Sequence, residues 1–282
     1  MTLPTASSVR PEVHGHRGCR GLYPENTLPG FLHAVQLGVD VLELDVVLSA
    51  DGQVVVSHEP WMNAAICLDP LGARIPVALQ QNHNLYRLPY AAIRRYDCGQ
   101  LRHPDFPEQR LLPAFKPLLR QVVEAIDAFA LRLGRAPVRF SVEVKSEPAG
   151  DGLFHPAPAA YVDVVLAELR ALGLLSRSTL LCFDVRILQE CRRQFPALTL
   201  CLLVEDELPL AEHIQTLGFS PEVYGPRYDL VTPELMAETS HRGIQVVPWT
   251  VNKQCVMQSL CALGVRGITT DYPDRLLALS AE

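Results

Sequence analysis

Two histidines and two acidic residues near the N-terminus have the types and spacing of a proton-transfer and cation site. His16 opens a His-Arg-Gly run, Glu43 and Asp45 are separated by one residue, and His58 ends a Val-Val-Ser-His run. The ordinary pKa of histidine lies close to neutral pH, so a pair of histidines can act as proton donor and proton acceptor. Two carboxylates in an apolar setting repel each other unless a proton or a cation lies between them. These residues indicate acid-base chemistry beside a hard divalent cation.

The acidic pair lies in the run Val-Leu-Glu-Leu-Asp-Val-Val, which is typical of a buried strand. Side chains alternate faces along a strand, so Glu43 and Asp45 point to the same side with Cα atoms about 6.6 Å apart. A lone Glu-x-Asp is commonly a solvated acidic face. Here each histidine stands at the C-terminal end of a short apolar run, and this favours a catalytic interpretation. A second strand, residues 140–145, carries Glu143 and Lys145 on one face.

Apolar runs and helical patterns alternate along the chain, which predicts a parallel sheet with helices between the strands. The predicted parallel strands are 13–16, 39–48, 139–145, 179–183, 198–204, 222–226, 245–251 and 266–269. The predicted helices are 26–37, 114–133, 159–172, 185–194, 209–217, 233–241 and 253–263. Asp51-Gly52 predicts a turn that returns the second strand as 53–58. Eight parallel strands predict an α/β fold, a (β/α)8 TIM barrel with its site at the strand C-terminal ends. An open doubly wound sheet would need a glycine-rich nucleotide turn after the first strand, and the chain has none there.

Residues 59–112 interrupt this alternation and are rich in Pro, Asn, His and Tyr. A long irregular segment inside a barrel commonly caps the mouth. We therefore predict that residues 1–282 form a single barrel domain with a cap-like insertion after the second strand and its hairpin arm. The side chains predicted to line a substrate pocket from this insertion are Trp61, His83, Tyr86 and His103.

The composition of the chain limits which partners and which cellular compartment we expect. The 282 residues suit one barrel, and the net charge of -6 without a basic cluster argues against a nucleic-acid partner. Neither a run of about 18 apolar residues nor an apolar leader is present, so we expect no stable membrane insertion and no export. The eight cysteines lack a C-x-x-C pair, which predicts reduced thiols in the cytoplasm. Cys19 lies near the histidine but has no dedicated base, so we do not expect it to be the nucleophile.

Together these motifs resemble the signature of the glycerophosphodiester phosphodiesterases. The matching residues near the N-terminus are His16-Arg17-Gly18, Pro24-Glu25-Asn26-Thr27, Glu43-Leu44-Asp45-Val46, Asp51-Gly52 and Val55-Val56-Ser57-His58. Later segments that look like family motifs are 140–145, 182–184, 247–252 and 267–273. The motifs follow the family's order over most of the chain, so together they are specific although none is so alone.

The resemblance implies a metal-dependent hydrolase of lipid and glycerol metabolism. Its substrates would be small phosphodiesters such as glycerophosphocholine and glycerophosphoethanolamine, cleaved to glycerol 3-phosphate and an alcohol. It implies that Glu143 joins Glu43 and Asp45 in binding one divalent cation, Mg²⁺ or Ca²⁺. Lys145 would then contact the substrate phosphate.

The remaining candidate residues surround this centre. Arg17 is expected to hold phosphate oxygens together with Lys145, while His16 and His58 exchange the protons. Three acids balanced by a divalent cation, Arg17 and Lys145 leave one positive charge, which suits a phosphodiester monoanion. Glu25 and Asn26 are expected to orient His16 and Arg17, with Asn26 also a helix N-cap. Phe183 and Trp249 are expected to wall a glycerol pocket.

The chain departs from the common family pattern at two places. It has His58-Glu59-Pro60-Trp61 where most relatives have His-Asp and then Arg-Thr, and Cys182 replaces a serine. These departures leave the substrate open: a lysophospholipase D or a sphingolipid phosphodiesterase would use the same fold. A non-catalytic phosphodiester-binding protein would have no use for paired histidines, and a metal-independent glycosidase leaves both histidines and Lys145 unexplained. Which histidine is the acid, which group attacks phosphorus, and the oligomeric state are open from sequence.

Overall fold

Short runs of β-branched and apolar residues form eight parallel strands in the computed structural model, which describes residues 10–279. The strands are β1 Glu12–Gly15, β2 Val41–Leu48, β3 Val54–Val56, β4 Arg139–Val144, β5 Ser178–Cys182, β6 Thr199–Val204, β7 Val223–Pro226, β8 Gln245–Val246 and β9 Gly267–Thr270. The parallel order is β8-β7-β6-β5-β4-β2-β1-β9, and β3 pairs antiparallel with β2 as the predicted hairpin arm. The predicted TIM barrel is confirmed.

Backbone hydrogen bonds join the two ends of this strand order and nearly close the barrel. Arg266 N donates to Val246 O at 2.9 Å, and Thr269 N donates to Pro248 O at 3.0 Å. The last strand before β9 was predicted as 245–251 but ends at Val246. Pro248 has no N–H to give to the ladder, which explains the early end.

Helices cover the outside of the barrel between the strands. They are α1 Leu28–Leu37, α2 Tyr90–Ile93, α3 Leu119–Arg132, α4 Pro158–Ala171, α5 Val185–Gln194, α6 Leu210–Leu217, α7 Pro233–His241, α8 Gln254–Leu263 and α9 Pro273–Leu279. The seven long predicted helices are all present, whereas α2 and α9 were not predicted. The helix α3 starts later than predicted because the preceding chain pairs with β3: Val56 N donates to Pro117 O at 2.8 Å.

The start of α1 also differs from its prediction. Thr27, not Asn26, is the N-cap, and its side chain accepts a hydrogen bond from Gly30 N. Asn26 instead adopts a positive φ of 55°. The predicted cap at Asn26 is therefore wrong, because the preceding loop turns the Asn26 side chain inward toward Asp45.

Three groups of buried apolar side chains hold the structure together. The largest lies between the strands and the surrounding helices, as expected for a barrel. A second holds the insertion against the β2–β3 hairpin through residues such as Val55, Met62 and Leu85. A third, small group lies inside the barrel and contains Leu181 and Leu203. The insertion thus has its own small core at one side of the barrel mouth.

Among residues 10–279, no helix has the length and apolar character needed to cross a bilayer. The expectation of no export was based on residues 1–13, most of which lie outside the described residues. None of the eight cysteines forms a disulfide, and the Sγ atoms of Cys67 and Cys98 are in hydrogen-bond contact at 2.7 Å. Burial raises the pKa of the Cys19 thiol, and its Sγ hydrogen-bonds Gly30 O, so this thiol stays protonated.

Candidate active site

The His-Arg-Gly turn begins where β1 ends. Gly15 is required there, because a Cβ at this position would lie 2.2 Å from the backbone oxygen of Gly18. Arg17 follows with a positive φ of 49°, and His16 N donates to Thr270 O at 2.9 Å. The turn therefore leaves β1 sharply and carries His16 and Arg17 over the C-terminal end of the barrel.

Asp271 fixes the orientation of His16. The Nδ1 of His16 lies 2.6 Å from Oδ1 of Asp271, so Nδ1–H donates and Nε2 is left for the site. Asp271 also accepts hydrogen bonds from Arg20 and Asn252. Burial lowers the pKa of His16 to about 4 even though Asp271 opposes this shift. Sequence reasoning missed Asp271, although an acid at the end of the last strand is a recognisable signal in a barrel.

Three carboxylates form a buried cluster on β2 and β4. Asp45 and Glu143 stand opposite each other in the strand register, and one oxygen from each of Glu43, Asp45 and Glu143 lies within 4.8 Å of the others. Burial and the two neighbouring acids raise the pKa of Glu43, and burial raises the pKa of Glu143. The Oδ1 of Asp45 is buried without a hydrogen-bond partner. Arg17 and Lys145 oppose the effect of burial at Asp45 and lower its pKa, so the cost of burying charge falls on the two glutamates.

Two cationic side chains, Lys145 and Arg17, border this cluster. Lys145 Nζ lies 2.6 Å from Glu143 Oε1 and 3.7 Å from Asp45 Oδ1. Arg17 lies 2.9 Å from Glu25 Oε1 and 3.3 Å from Asp45 Oδ2.

The sequence predicted that Glu25 and Asn26 orient His16 and Arg17. Glu25 does contact the Arg17 side chain. Asn26 Nδ2, however, donates to Asp45 Oδ2 at 2.8 Å. Asn26 thus orients the Asp45 carboxylate and not His16, because the loop before α1 directs the Asn26 side chain toward β2.

His58 stands at the edge of the site and is more accessible than His16, with 30% of its side chain exposed. Its Nδ1 lies 3.0 Å from Oε1 of Glu59. Burial opposes ionisation of Glu59, but the hydrogen bond from His58 and the nearby positive charges of Lys116 and Arg17 together lower the pKa of Glu59 to about 2. The departure from the His-Asp motif therefore keeps a carboxylate in contact with the second histidine.

Two cavities open beside these residues. The lumen cavity, of about 370 Å³, extends from both histidines and the acidic cluster into the barrel. Phe183 and Trp249 line it with ring centroids 5.4 Å apart, and Trp249 Nε1 donates to Gly225 O. The second cavity, of about 440 Å³, runs from His58 toward the insertion and reaches Trp61; we call it the aromatic groove.

Of the four predicted liners from the insertion, only Trp61 borders either cavity. His83 hydrogen-bonds Tyr96, His103 packs on Phe106, and Tyr86 packs against the main core. The predicted role of His83, Tyr86 and His103 as liners of these cavities is wrong. Their rings are used instead to pack the insertion.

A β/α barrel with two histidines, an Arg, a Lys and a buried carboxylate cluster at its C-terminal end has the features of a phosphodiesterase that works with a divalent cation. The residues 16–275 match the model of the glycerophosphoryl diester phosphodiesterase family, and the chain belongs to that family.

Individual relatives support this family assignment. The chain is 26% identical over 276 residues to a glycerophosphodiester phosphodiesterase of Bacillus altitudinis, covering 96% of this chain and 98% of the relative. It is 28% identical over 281 residues to lysophospholipase D GDPD1 of Rattus norvegicus, covering 93% and 83%. The solved structure of a putative glycerophosphoryl diester phosphodiesterase from Silicibacter pomeroyi DSS-3 superposes with a TM-score of 0.84 at 32% identity, covering 96% of this chain and 94% of that one. The resemblance seen in the sequence and the assignment as a phosphoric diester hydrolase are confirmed.

Proposed function

We propose that Glu43, Asp45 and Glu143 bind the divalent cation with which this chain hydrolyses glycerophosphodiesters to glycerol 3-phosphate and an alcohol. The observation that supports this most strongly is the buried carboxylate cluster, which shares a cavity with two differently partnered histidines. The oxygen atoms of the cluster are spaced as ligands around one ion, whose oxygen ligands lie about 2.0–2.6 Å from the metal.

The donor set favours a hard cation. All three donors are carboxylate oxygens and no thiolate or imidazole belongs to the group, which favours Mg²⁺ or Ca²⁺ over a zinc thiolate site. The unpartnered Oδ1 of Asp45 fits a role as a ligand. When bound, the cation supplies positive charge that stabilises the charge developing on the phosphoryl oxygens.

Arg17 and Lys145 are the residues that we assign to the phosphate. Both line the lumen cavity beside the carboxylate cluster, so their donors lie next to the place where a phosphate meets the cation. Lys145 contacts Glu143 in this structure; with a cation held by the three carboxylates, Lys145 would be available to contact a phosphate oxygen instead.

The positions of the two histidines favour different roles. Asp271 occupies the Nδ1 of His16, so Nε2 is the nitrogen that accepts a proton from the attacking hydroxyl. His58 borders both cavities and is therefore placed to protonate the alcohol that leaves. We assign His16 as the base, His58 as the acid, and Phe183 and Trp249 as the walls of the glycerol pocket.

The setting proposed for the enzyme follows from composition. The unpaired cysteines suit a reducing cytoplasm, and the net charge of -6 suits a small-molecule substrate better than a nucleic acid. We further propose that the insertion caps the barrel as part of one domain.

The direct test is release of glycerol 3-phosphate from glycerophosphocholine and glycerophosphoethanolamine by the purified chain. We expect turnover that EDTA abolishes and that Mg²⁺ or Ca²⁺ restores, and a loss of at least about 100-fold in His16→Ala. Turnover that survives both EDTA and His16→Ala would contradict the proposal.

The Glu43→Gln variant tests the cation site by a second readout. It should lose activity. The free energy of unfolding of the metal-free variant should nevertheless be about 1 kcal/mol higher than that of the metal-free wild type, because the substitution removes a carboxyl whose ionisation is opposed by burial and by two neighbouring acids. Denaturant unfolding in EDTA measures this, with the exposed Glu124→Gln as the control. Lower stability of Glu43→Gln would contradict a charge-strained cluster.

A lysophospholipase D is a second candidate, because the barrel mouth is apolar. Leu153, Phe183 and Leu208, on the loops after β4, β5 and β6, are 48%, 37% and 53% exposed. Choline release from lysophosphatidylcholine at a rate above that from glycerophosphocholine would favour this candidate, and the reverse order would reject it. A sphingolipid substrate is tested in the same assay with lysosphingomyelin.

A further inference from the structure

The two cavities meet at the reacting centre. The lumen cavity and the aromatic groove share four lining residues, His58, Glu143, Lys145 and Phe183. A phosphodiester carries two organic arms on one phosphorus, so a phosphorus held at this junction sends one arm into each cavity. With the glycerol arm in the lumen cavity, the aromatic groove is left for the alcohol that leaves.

Aromatic rings form the walls of the aromatic groove. Trp61 from the insertion and Phe154 from the loop after β4 have ring centroids 5.1 Å apart and planes inclined by 55°. Phe183, which is 37% exposed, and Pro60 also line the groove. An occupant of this groove therefore meets π faces and edges on more than one side.

Hydrogen bonds between the insertion and the β4 loop hold these walls in place. Asn84 Nδ2 donates to Leu153 O at 2.9 Å, and Arg87 donates to Gly152 O at 2.8 Å. Both acceptors directly precede Phe154 in the chain. The Trp61–Phe154 pair is thus positioned before any ligand binds, which lowers the ordering cost of binding.

The groove also carries negative charge. Glu147 lines it, is exposed, and has no side-chain hydrogen bond or ion pair with any residue in the part of the chain described. Glu59 also lines it, and its Oε2 has no partner. The one lysine or arginine among the groove's lining residues is Lys145, which lies against Glu143 in the acidic cluster.

We propose that the aromatic groove binds a quaternary ammonium head group, so that the preferred substrates are glycerophosphodiesters of choline-type alcohols. This inference rests on the proposed function. A quaternary ammonium is attracted to aromatic faces and gains further from a nearby carboxylate. A neutral head group gains neither attraction. A primary ammonium is more strongly hydrated, so it loses more hydration when it enters a groove walled by aromatic rings.

Kinetics on two substrates test the preference. We expect the wild type to hydrolyse glycerophosphocholine with a kcat/KM about tenfold higher than glycerophosphoglycerol. Trp61→Leu should remove this ratio mainly through the KM for glycerophosphocholine, whereas Trp61→Phe should retain most of it. Equal kcat/KM values for the two substrates in the wild type would overturn the inference.

The carboxylate is tested separately. Glu147→Gln should raise the KM for glycerophosphocholine several-fold, about 3- to 10-fold, and leave glycerophosphoglycerol unchanged. Glu207→Gln is the matched control, because Glu207 is an exposed acid on the β6 loop at the same end of the barrel and lines neither cavity. Equal effects of Glu147→Gln on both substrates would count against a cationic head group.

A binding readout separates this inference from the proposed function. The chain has two tryptophans, so Trp249→Phe leaves Trp61 as the single tryptophan reporter. Tetramethylammonium chloride should change the fluorescence of Trp61 in a saturable way, and sodium chloride at equal ionic strength should not. A response that does not saturate would overturn the assignment of the groove. If the protein binds tetramethylammonium but cleaves neither diester, the assignment of the groove stands and the proposed hydrolase function is contradicted.

Discussion

At the scale of single residues, the two site histidines are held by different acids. His16 contacts Asp271 at 2.6 Å inside the barrel end, and His58 contacts Glu59 at 3.0 Å at the edge. His16 is therefore fixed and enclosed, whereas His58 borders the aromatic groove, which we propose receives the leaving alcohol. Asp271 touches neither cavity and acts through His16, so it is a positioning residue.

Replacing Asp271 by Asn keeps an oxygen that can accept from His16 Nδ1 but removes the charge that stabilises a protonated ring. We expect kcat to fall about 100-fold with little change in KM. Steady-state kinetics on glycerophosphocholine measure both parameters.

The chain contains a matched control for this variant. His213 Nε2 lies 2.9 Å from Asp206 Oδ1 outside the site, so Asp206→Asn removes the same kind of charge elsewhere. Equal losses of kcat in Asp206→Asn and Asp271→Asn would assign the effect to general destabilisation and reject the positioning role.

At the scale of elements, the turn after β1 decides where His16 and Arg17 stand. Gly15→Ala should displace this turn, because its Cβ would lie 2.2 Å from the backbone oxygen of Gly18. We expect kcat/KM to fall about 100-fold, as for other misplacements of about 1 Å in a reacting group. Activity assays on folded protein, checked by circular dichroism, measure this.

Gly134→Ala provides the comparison. Gly134 follows α3 with a φ of 67° and open space around it, so the substitution costs about 1–2 kcal/mol of stability without contact with the site. If Gly134→Ala lost as much activity as Gly15→Ala, the turn would have no special role.

At the scale of the whole molecule, ion pairs at the N-terminal end of the barrel join strands that are far apart in sequence. Glu12 of β1 contacts Arg139 of β4 at 3.0 Å and also pairs with Arg266 before β9. Burial opposes ionisation of Glu12, but hydrogen bonds from His14 and Arg139 outweigh it and lower the pKa of Glu12 to about 2. These ion pairs of Glu12 hold three strands together at the end of the barrel opposite the site, and we call them the ionic clamp.

Glu12→Gln should lower the free energy of unfolding by about 1–3 kcal/mol at pH 7. A carboxyl whose pKa is lowered on folding stabilises the protein above its unfolded pKa of about 4.5 and loses that contribution as pH falls toward about 2. Urea unfolding at a series of pH values should therefore show the two proteins converging in acid. A difference that is constant with pH would reject the ionic clamp.

Much of the barrel was predictable from the sequence, because the residue patterns that define strands and helices repeat over only a few residues. Alternation along a strand placed Glu43 with Asp45 and Glu143 with Lys145, and the alternation of strands with helices predicted the closed parallel sheet. The limits of the strands and helices were less predictable, since Pro248 shortens β8 and pairing with β3 delays α3.

The sequence by itself determined which residues are candidates for the chemistry and the strand ends on which they stand, because residue type and backbone geometry over a few residues decide both. Only the tertiary structure decided their partners: Asp271 meets His16 from 255 positions away, and Asn26 turns to Asp45. It likewise decided that Trp61 faces Phe154 while His83 and His103 pack elsewhere. Contacts of this kind depend on how the barrel closes and how the insertion folds back on it, so they cannot be predicted from residue patterns that extend over only a few positions.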